Sequence, residues 1–448
     1  MGAPPSCAAF RCGAAEVVGL IAPAVVGSNL GGSGAGLDFR KQRASFPSWG
    51  RCAGAGALEV SVLMPCLNEA ETLRACVHEA LATIAAAGVT GEVLVADNGS
   101  GDGSRAVAIA AGARVIEVER RGYGNALLGG IAAARGRYVL MGDADGSYDF
   151  GELPRFLAAL RAGADLVVGC RLPAGGGRIL PGAMPWKHRW IGNPILTALG
   201  RLFFTAPIHD FHCGLRAFRR EAVAGLGLRC PGMEFASEMV VRATLAGLRI
   251  TEVPVTLRPD GRSRPPHLRS WRDGWRHLRF MLLFSPRWLF LIPGLSLAAL
   301  SLVAFARLAV GPVRLGGVTF DTNTLIVASA GLTAGVQLVL FGVLAKAFAV
   351  QQGIAPPSPL LARLRRLRTV ELGILGGAGL VATGLGYLLV AVEQWRETGF
   401  GTLSYPDSLR VVVPAVTALA LGIQLAFAGF ALAVLDLGRE IRLRRAEP

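Results

Sequence analysis

Hydrophobic and polar positions alternate in two different ways along this chain. From residue 58 to about 257, short apolar runs are separated by charged, glycine-rich turns, the rhythm of a soluble α/β domain. Leu58–Met64 (LEVSVLM) predicts a strand, followed after Pro65-Cys66-Leu67-Asn68-Glu69 by a helix from about Ala70 to Ala87. Glu92–Ala96 predicts a second strand, ending at Asp97-Asn98-Gly99-Ser100-Gly101-Asp102-Gly103. A helix over 104–112, a strand at Arg114–Val118, a helix from Asn125 to Arg135 and a strand over 137–142 follow. Alternating βα units predict a parallel sheet, and ligands of such sheets bind beyond the carboxyl ends of the strands. PCLNE, ADNGSGDG and GDADGS all fall there, so three polar turns share one rim.

From Trp288 onward the rhythm changes. Apolar runs cover 288–310, 324–350, 370–392 and 411–435, each near or above the ~20 residues that span a bilayer's hydrocarbon core. Mean hydropathy is +0.47, too apolar for an ordinary soluble enzyme. The pattern predicts an α/β domain over 58–257 followed by an α-helical membrane domain of four transmembrane helices within 288–435. Residues 1–57, rich in Gly, Ala, Ser and Pro, predict a disordered segment; Val17–Val26 is too short to span and Arg11 is a thin flank for a signal peptide.

The net charge of +15 has a geography. Between Arg258 and Arg287, eight arginines (258, 262, 264, 269, 272, 276, 279, 287) stand against Asp260 and Asp273, a net +6. A solvated linker is the plain reading; next to a membrane span the run also marks the cytoplasmic side and attracts anionic lipid. Loop 351–369 adds Arg363, Arg365, Arg366 and Arg368, and the tail 436–448 adds Arg439, Arg442, Arg444 and Arg445. Loop 311–323 has only Arg314 as a cation, and loop 393–410 offsets Arg396 and Arg410 with Glu393, Glu397 and Asp407. The soluble domain and the C-terminus are therefore expected in the cytoplasm. Trp271, Trp275, Phe280, Leu282 and Leu283 among arginines predict an amphipathic interface helix, or else a helix packed under the soluble domain. No aromatic-basic stacking pattern points to nucleic acid. Eight cysteines without a CxxC pair read as reduced packing residues.

The chemistry concentrates in MGDADGSYDF, where Asp143 and Asp145 sit one residue apart directly after Tyr138-Val139-Leu140-Met141. Two carboxylates this close repel, and burial worsens it, so something positive belongs between them. Carboxylates at i and i+2 on a tight turn can converge on Mg2+ or Mn2+, which also binds a diphosphate. An EF-hand is a poor fit, because Gly146 comes too early and the ligand ladder ending in Glu is missing. ADNGSGDG alone reads equally as an ordinary turn; it lacks G-x-G-x-x-G spacing, and no Walker-type phosphate loop occurs.

VSVLMPCLNEAETL, VLVADNGSGDGS, RRGYGNALLGGIAAARG, YVLMGDADGSYDF, VVGCR, HRWIGNPILT, DFHCGLRAF and GMEFASEM, in that order, resemble family 2 inverting glycosyltransferases of the GT-A fold. The likeness is to the group typified by dolichyl-phosphate mannose synthases and bacterial polyprenyl-phosphate glucosyltransferases, and the spans suit a lipid acceptor. The resemblance implies a Rossmann-like nucleotide-diphospho-sugar transferase domain that moves glucose or mannose from a UDP- or GDP-sugar to a polyprenyl or dolichyl phosphate. A homo-oligomer is compatible with it.

Carried over by position, Pro65, Leu67, Asn68 and Glu69 line the nucleotide pocket and Asp97 meets the base or ribose. Asp143 and Asp145 hold the metal and the diphosphate. Ser147 stands where many relatives have Gln, so it is a weaker third ligand. Arg171 and Arg189 resemble the arginines that grip the acceptor phosphate, and Arg216 would balance diphosphate charge. A lipid monophosphate is already anionic, so positioning and charge stabilisation carry the chemistry.

Other readings were weighed against this one. His209, Asp210, His212 and Cys213 crowd too closely to wrap one tetrahedral zinc and read instead as shaping the acceptor mouth or as structural polar residues. Glu234 and Glu238, one helical turn apart, read as structural partners of arginine or as a cap on the sugar pocket. A processive polysaccharide synthase lacks support because the Q-x-x-R-W motif is absent: Pro185-Trp186-Lys187 precede His188-Arg189-Trp190. A glycolipid flippase would be marked by intramembrane charges, of which Arg307 and Lys346 are the main ones.

Overall fold

The computed structural model of the protein describes residues 58–264, 269–352, 354–355 and 369–446. The expected disordered segment 1–57 and the arginines of loop 351–369 lie outside them.

Seven strands form one sheet in the order β3-β2-β1-β4-β7-β5-β8. They are β1 (Val60–Cys66), β2 (Gly91–Asp97), β3 (Arg114–Glu117), β4 (Tyr138–Met141), β5 (Leu166–Cys170), β7 (Arg216–Arg219) and β8 (Ile250–Pro254). The helices α1 (Ala70–Ala86), α2 (Ser104–Ala110), α3 (Tyr123–Ala133) and α4 (Leu153–Arg161) connect the first five strands. The central strands are apolar on both faces because helices cover both; Val62, Leu63, Val95, Leu140 and Val168 are buried. Register then builds the rim. Cys66 lies opposite Asp97 across β1 and β2, and Leu63 opposite Met141 across β1 and β4. The three polar turns therefore emerge at one edge of the sheet.

The expectation of a parallel sheet is corrected at one strand. β7 runs antiparallel to both β4 and β5. It enters from the opposite side because the chain makes a long excursion over 171–215, which carries α5 (Asn193–Phe204). Arg216, the first residue of β7, is thereby brought opposite both Met141 and Val168.

Beyond β7 come α6 (Arg220–Ala224) and α7 (Phe235–Leu245), and then β8. A small parallel pair, β6 (Arg178–Ile179) with β9 (Thr256–Leu257), follows. From it residues 258–264 cross back over the rim, anchored by the Arg258 amide on the Ser147 carbonyl and the Gly261 amide on the Asp145 carbonyl, both at 2.9 Å.

Helix α8 (Ser270–Leu283) has two faces. Asp273, His277, Phe280 and Met281, at helical spacing, are buried against the domain, while Trp271 and Trp275 point outward, 88% and 59% exposed. The inner face fits the expectation of a helix packed under the domain, and the outer face is the one an interface helix would present. A helical turn at Arg287–Leu291 joins it to α9 (Ile292–Val310), where Trp288 stacks on Phe203 of α5 at 5.5 Å.

The apolar runs fold as α9, α10 (Thr322–Gln351), α11 (Thr369–Glu397) and α12 (Tyr405–Ala446), each long and apolar enough to cross a membrane. Helices suit a membrane because they satisfy their own backbone polar groups. Hydroxyls Ser329 and Thr417 join α10 to α12 at 2.6 Å. A hairpin of β10 (Val313–Leu315) and β11 (Val318–Phe320) links the first two spans.

Candidate active site

The turn after β4 presents Asp143 and Asp145. Gly146, at φ +76°, lets the chain double back, and Asp145 Oδ1 accepts the Ser147 amide at 3.0 Å. Asp143 Oδ1 accepts the Tyr123 hydroxyl at 3.0 Å. Burial, and then the charge of Asp145, push the Asp143 carboxyl up to about 7; the Tyr123 hydrogen bond and the charges of Arg262 and Arg171 oppose this. Gly214 packs against the same carboxylate, and a Cβ there would meet Asp143 Oδ2 at 2.8 Å and the Tyr148 hydroxyl at 3.2 Å.

A positive group does stand beside Asp145, but it is an arginine, and it bridges Asp145 to Glu69 rather than to Asp143. Arg262 places Nη2 2.6 Å from Asp145 Oδ2 and Nη1 3.2 Å from Glu69 Oε1. Arg264 reaches the same Glu69 oxygen at 2.7 Å and the carbonyls of Leu67 and Asn68. Both were read from sequence as part of a lipid-facing basic run, and that reading is corrected here. Arg258 likewise turns inward, pairing with Glu79 at 3.3 Å and with Asp149. Counting arginines registered their charge; nothing in the count said that β9 would fold 258–264 back over the rim.

Pro65, Leu67, Glu69, Asp143, Asp145, Ser147 and Arg171 line one cleft of about 690 Å³. Asn68 instead stitches two turns together at a left-handed φ of 59°. Its amide donates to Ser100 Oγ and its side-chain oxygen accepts the Gly101 amide. Asp97 is buried, with its carboxylate taken by the amides of Gly99 and Ser100 and by Arg105 Nε at 2.7 Å. Those bonds hold its pKa below the usual range despite burial. Both residues, expected in the nucleotide pocket, therefore shape the turns beside the cleft without lining it.

On the opposite wall Arg171 is buried and gripped by Asp210, Nε to Oδ2 at 2.7 Å and Nη2 to Oδ1 at 2.9 Å. Its Nη1 lies 3.4 Å from the Tyr148 hydroxyl. Arg189 is half-buried beside the Trp190 ring, 5.3 Å from its centroid, while neighbouring His188 lines the cleft. Arg216 is fully buried and gives its guanidinium to the carbonyls of Phe211, Cys213 and Ala236. It braces the floor rather than facing the cleft. Next to it, Ser237 Oγ bridges His212 Nε2 (3.2 Å) and His277 Nδ1 (2.8 Å). Burial pushes His277 down to about 4 and His212 well down. Sequence reasoning gave no role to Tyr123, Tyr148 or His277, although the two tyrosines lie within the segments that carry the family resemblance. His209 bonds Glu252 at 2.7 Å, so IHDFHCG spreads its side chains over separate partners. Glu238 pairs with Arg242 at 3.0 Å, a structural role.

Among the described residues no three of His, Cys, Asp and Glu form a ready-made metal cage. The donors nonetheless suit Mg2+ or Mn2+, which take one or two carboxylates and complete their shells with water and substrate phosphate. Glu69 adds a further pointer, because its Oε2 is buried without a hydrogen-bond partner among the described residues.

Known proteins resemble this chain along most of its length. Residues 61–227 match glycosyl transferase family 2, and residues 343–436 match the glycosyltransferase family 2 C-terminal transmembrane region. The low-salt glycan biosynthesis hexosyltransferase Agl6 of Haloferax volcanii is 38% identical over 374 residues, 83% of this chain and 88% of its own. The polyprenol monophosphomannose synthase of Mycolicibacterium smegmatis is 35% identical over 211 residues, 44% of this chain and 76% of its own. A glucosyl-3-phosphoglycerate synthase of Mycobacterium tuberculosis, solved with Mn2+ and UDP, superposes at a TM-score of 0.40 and 25% identity, covering 50% of this chain and 79% of that one.

Proposed function

The chain belongs to glycosyltransferase family 2, and from that premise we propose that it moves a hexose, glucose or mannose, from a UDP- or GDP-sugar to a polyprenyl or dolichyl phosphate with inversion. One observation carries the reading. The cleft that holds Asp143 and Asp145 is also lined by Ser270, Asp273, Gly274 and His277 of α8, the helix that leads into the first span. A donor site at the aspartates and an acceptor entrance beside α8 would then share one cavity.

In the reaction, an oxygen of the acceptor phosphate attacks the anomeric carbon as the bond to the donor's β-phosphate oxygen breaks. The nucleoside diphosphate leaves with the electron pair. A phosphate monoester is already ionised, so no side chain need remove a proton. Arg171, its fork fixed by Asp210, orients the attacking phosphate; Arg189, next to the cleft-lining His188 but outside the lining itself, is the proposed second cation. Asp143 and Asp145, with Ser147 beside them, would hold Mg2+ or Mn2+, which offsets the charge building on the departing diphosphate. Pro65, Leu67 and Glu69 enclose the nucleotide. The basic loops at one membrane face support a cytoplasmic catalytic domain and C-terminus.

The test is transfer from radiolabelled UDP-glucose and GDP-mannose to polyprenyl phosphate, comparing wild type with Asp145→Ala, with and without EDTA. Label entering lipid from one donor, and lost on substitution and on chelation, is expected. Activity that survives both treatments would sink the metal assignment.

A further inference from the structure

We infer that Arg262 and the divalent cation placed above at Asp143 and Asp145 compete for Asp145 Oδ2, with Glu69 beside them, and that metal binding releases the Arg262–Ser263 tip of residues 258–264 from the donor rim. The inference rests on the metal-dependent reading above and adds to it what holds the seat before metal and donor arrive.

Arg262 bridges the two carboxylates at 2.6 and 3.2 Å with a side chain only 12% exposed. Asp145 Oδ2 cannot give the same lone pairs to a guanidinium and to a dication, and the two cations repel at such separations. Glu69 is 7% exposed, and its second oxygen, Oε2, is buried and has no partner among the described residues. That orphan acceptor is a cost the arginine leaves unrelieved, and a metal-bound water or a second ligand would relieve it. The Arg258 and Gly261 amides on the Ser147 and Asp145 carbonyls, and Arg264 on Glu69, hold the body of the segment independently of Arg262, whereas the anchor at its tip is nearer solvent. Ser263 donates its amide and hydroxyl to Glu71 at 2.9 and 2.6 Å, contacts of the exposed kind that contribute little. Once displaced, Arg262 keeps a partner of its own, because Asp260 lies 3.0 Å from its Nη2 and travels with the same segment. The exchange therefore strands no charge.

Binding of Mn2+ alone to the full-length protein in detergent, read from the loss of the free-ion EPR signal, tests this. An occupied seat lowers apparent affinity by the fraction of molecules left open, so Arg262→Gln is expected to bind Mn2+ about tenfold tighter than wild type. Affinity equal to or weaker than wild type overturns the inference. Asp145→Asn separates the two claims: it should abolish binding in both backgrounds, and wild-type binding by Asp145→Asn would overturn the metal site itself. A second measurement needs no variant. Arg258 and Arg264 both precede proline, so within 258–264 trypsin can cut only at Arg262–Ser263. Mn2+ is expected to speed that cut, and an unchanged or slower rate overturns the displacement.

Discussion

Both oxygens of Asp210 hold the guanidinium of Arg171, at 2.7 and 2.9 Å, in a site where the aspartate is wholly buried. The pair is a fixed fork rather than a free cation. Asp210→Ala leaves the arginine charged and unpaired, and is expected to cost about 3–5 kcal/mol of stability. Thermal unfolding in detergent measures this. Arg171→Lys keeps the charge but loses the fork, so its expected defect is a raised KM for the lipid phosphate with the donor KM unchanged.

The His212–Ser237–His277 chain predicts an acid limit to stability. His277 is held at about 4 by burial, with Asp273 opposing and Arg216 reinforcing the shift. Its ordinary value is near 6.5, so between 6.5 and 4 the unfolded chain binds a proton that the folded one does not. The contribution is complete above 6.5 and is lost as pH falls toward 4. It amounts to about 3 kcal/mol at most by the usual conversion of a pKa shift. Melting temperature followed from pH 7.5 to 4 should fall more steeply in wild type than in His277→Gln; parallel curves would refute the assignment.

Gly214 is where the acid pair is packed most tightly. Gly214→Ala pushes a methyl onto Asp143 Oδ2 and Tyr148. Overpacking of this kind costs about 1–3 kcal/mol. Transfer activity is expected to fall further than stability, because the displaced group is Asp143. Initial rates beside melting curves decide it, and loss of stability with full specific activity in the folded fraction would count against the site.

The orientation argument has a direct test. A fluorescent-protein fusion after residue 448 should light up in the bacterial cytoplasm. An alkaline phosphatase fusion at Gly316, in the hairpin between the first two spans, should be active outside. The opposite pattern would invert the topology.

Much of this molecule was legible in its sequence because local pattern and global fold agree. The strands β1, β2 and β4 and the four long helices announce themselves by period and length, and the turns at Asn68, Asp97 and Asp143 by their residue types. What was not legible came from long-range return. β7 pairs antiparallel because of an excursion whose length, not composition, sets its direction. Arg262 reaches Asp145 across 117 residues of chain, and its neighbours in sequence look like any juxtamembrane basic run. Arg216 matched a motif, yet its guanidinium goes to three carbonyls, a role set by burial that no spacing reveals.

On the proposed reading of a lipid acceptor, the covalent continuity from α8 through Arg287–Leu291 into α9, pinned by Trp288 on Phe203, sets the height of the cleft above the bilayer. Such an enzyme does not sample its lipid substrate from bulk volume. It searches a plane. Rates should then follow the mole fraction of acceptor in the surface, so diluting a fixed amount of polyprenyl phosphate with inert phospholipid should slow turnover although its concentration per millilitre is unchanged.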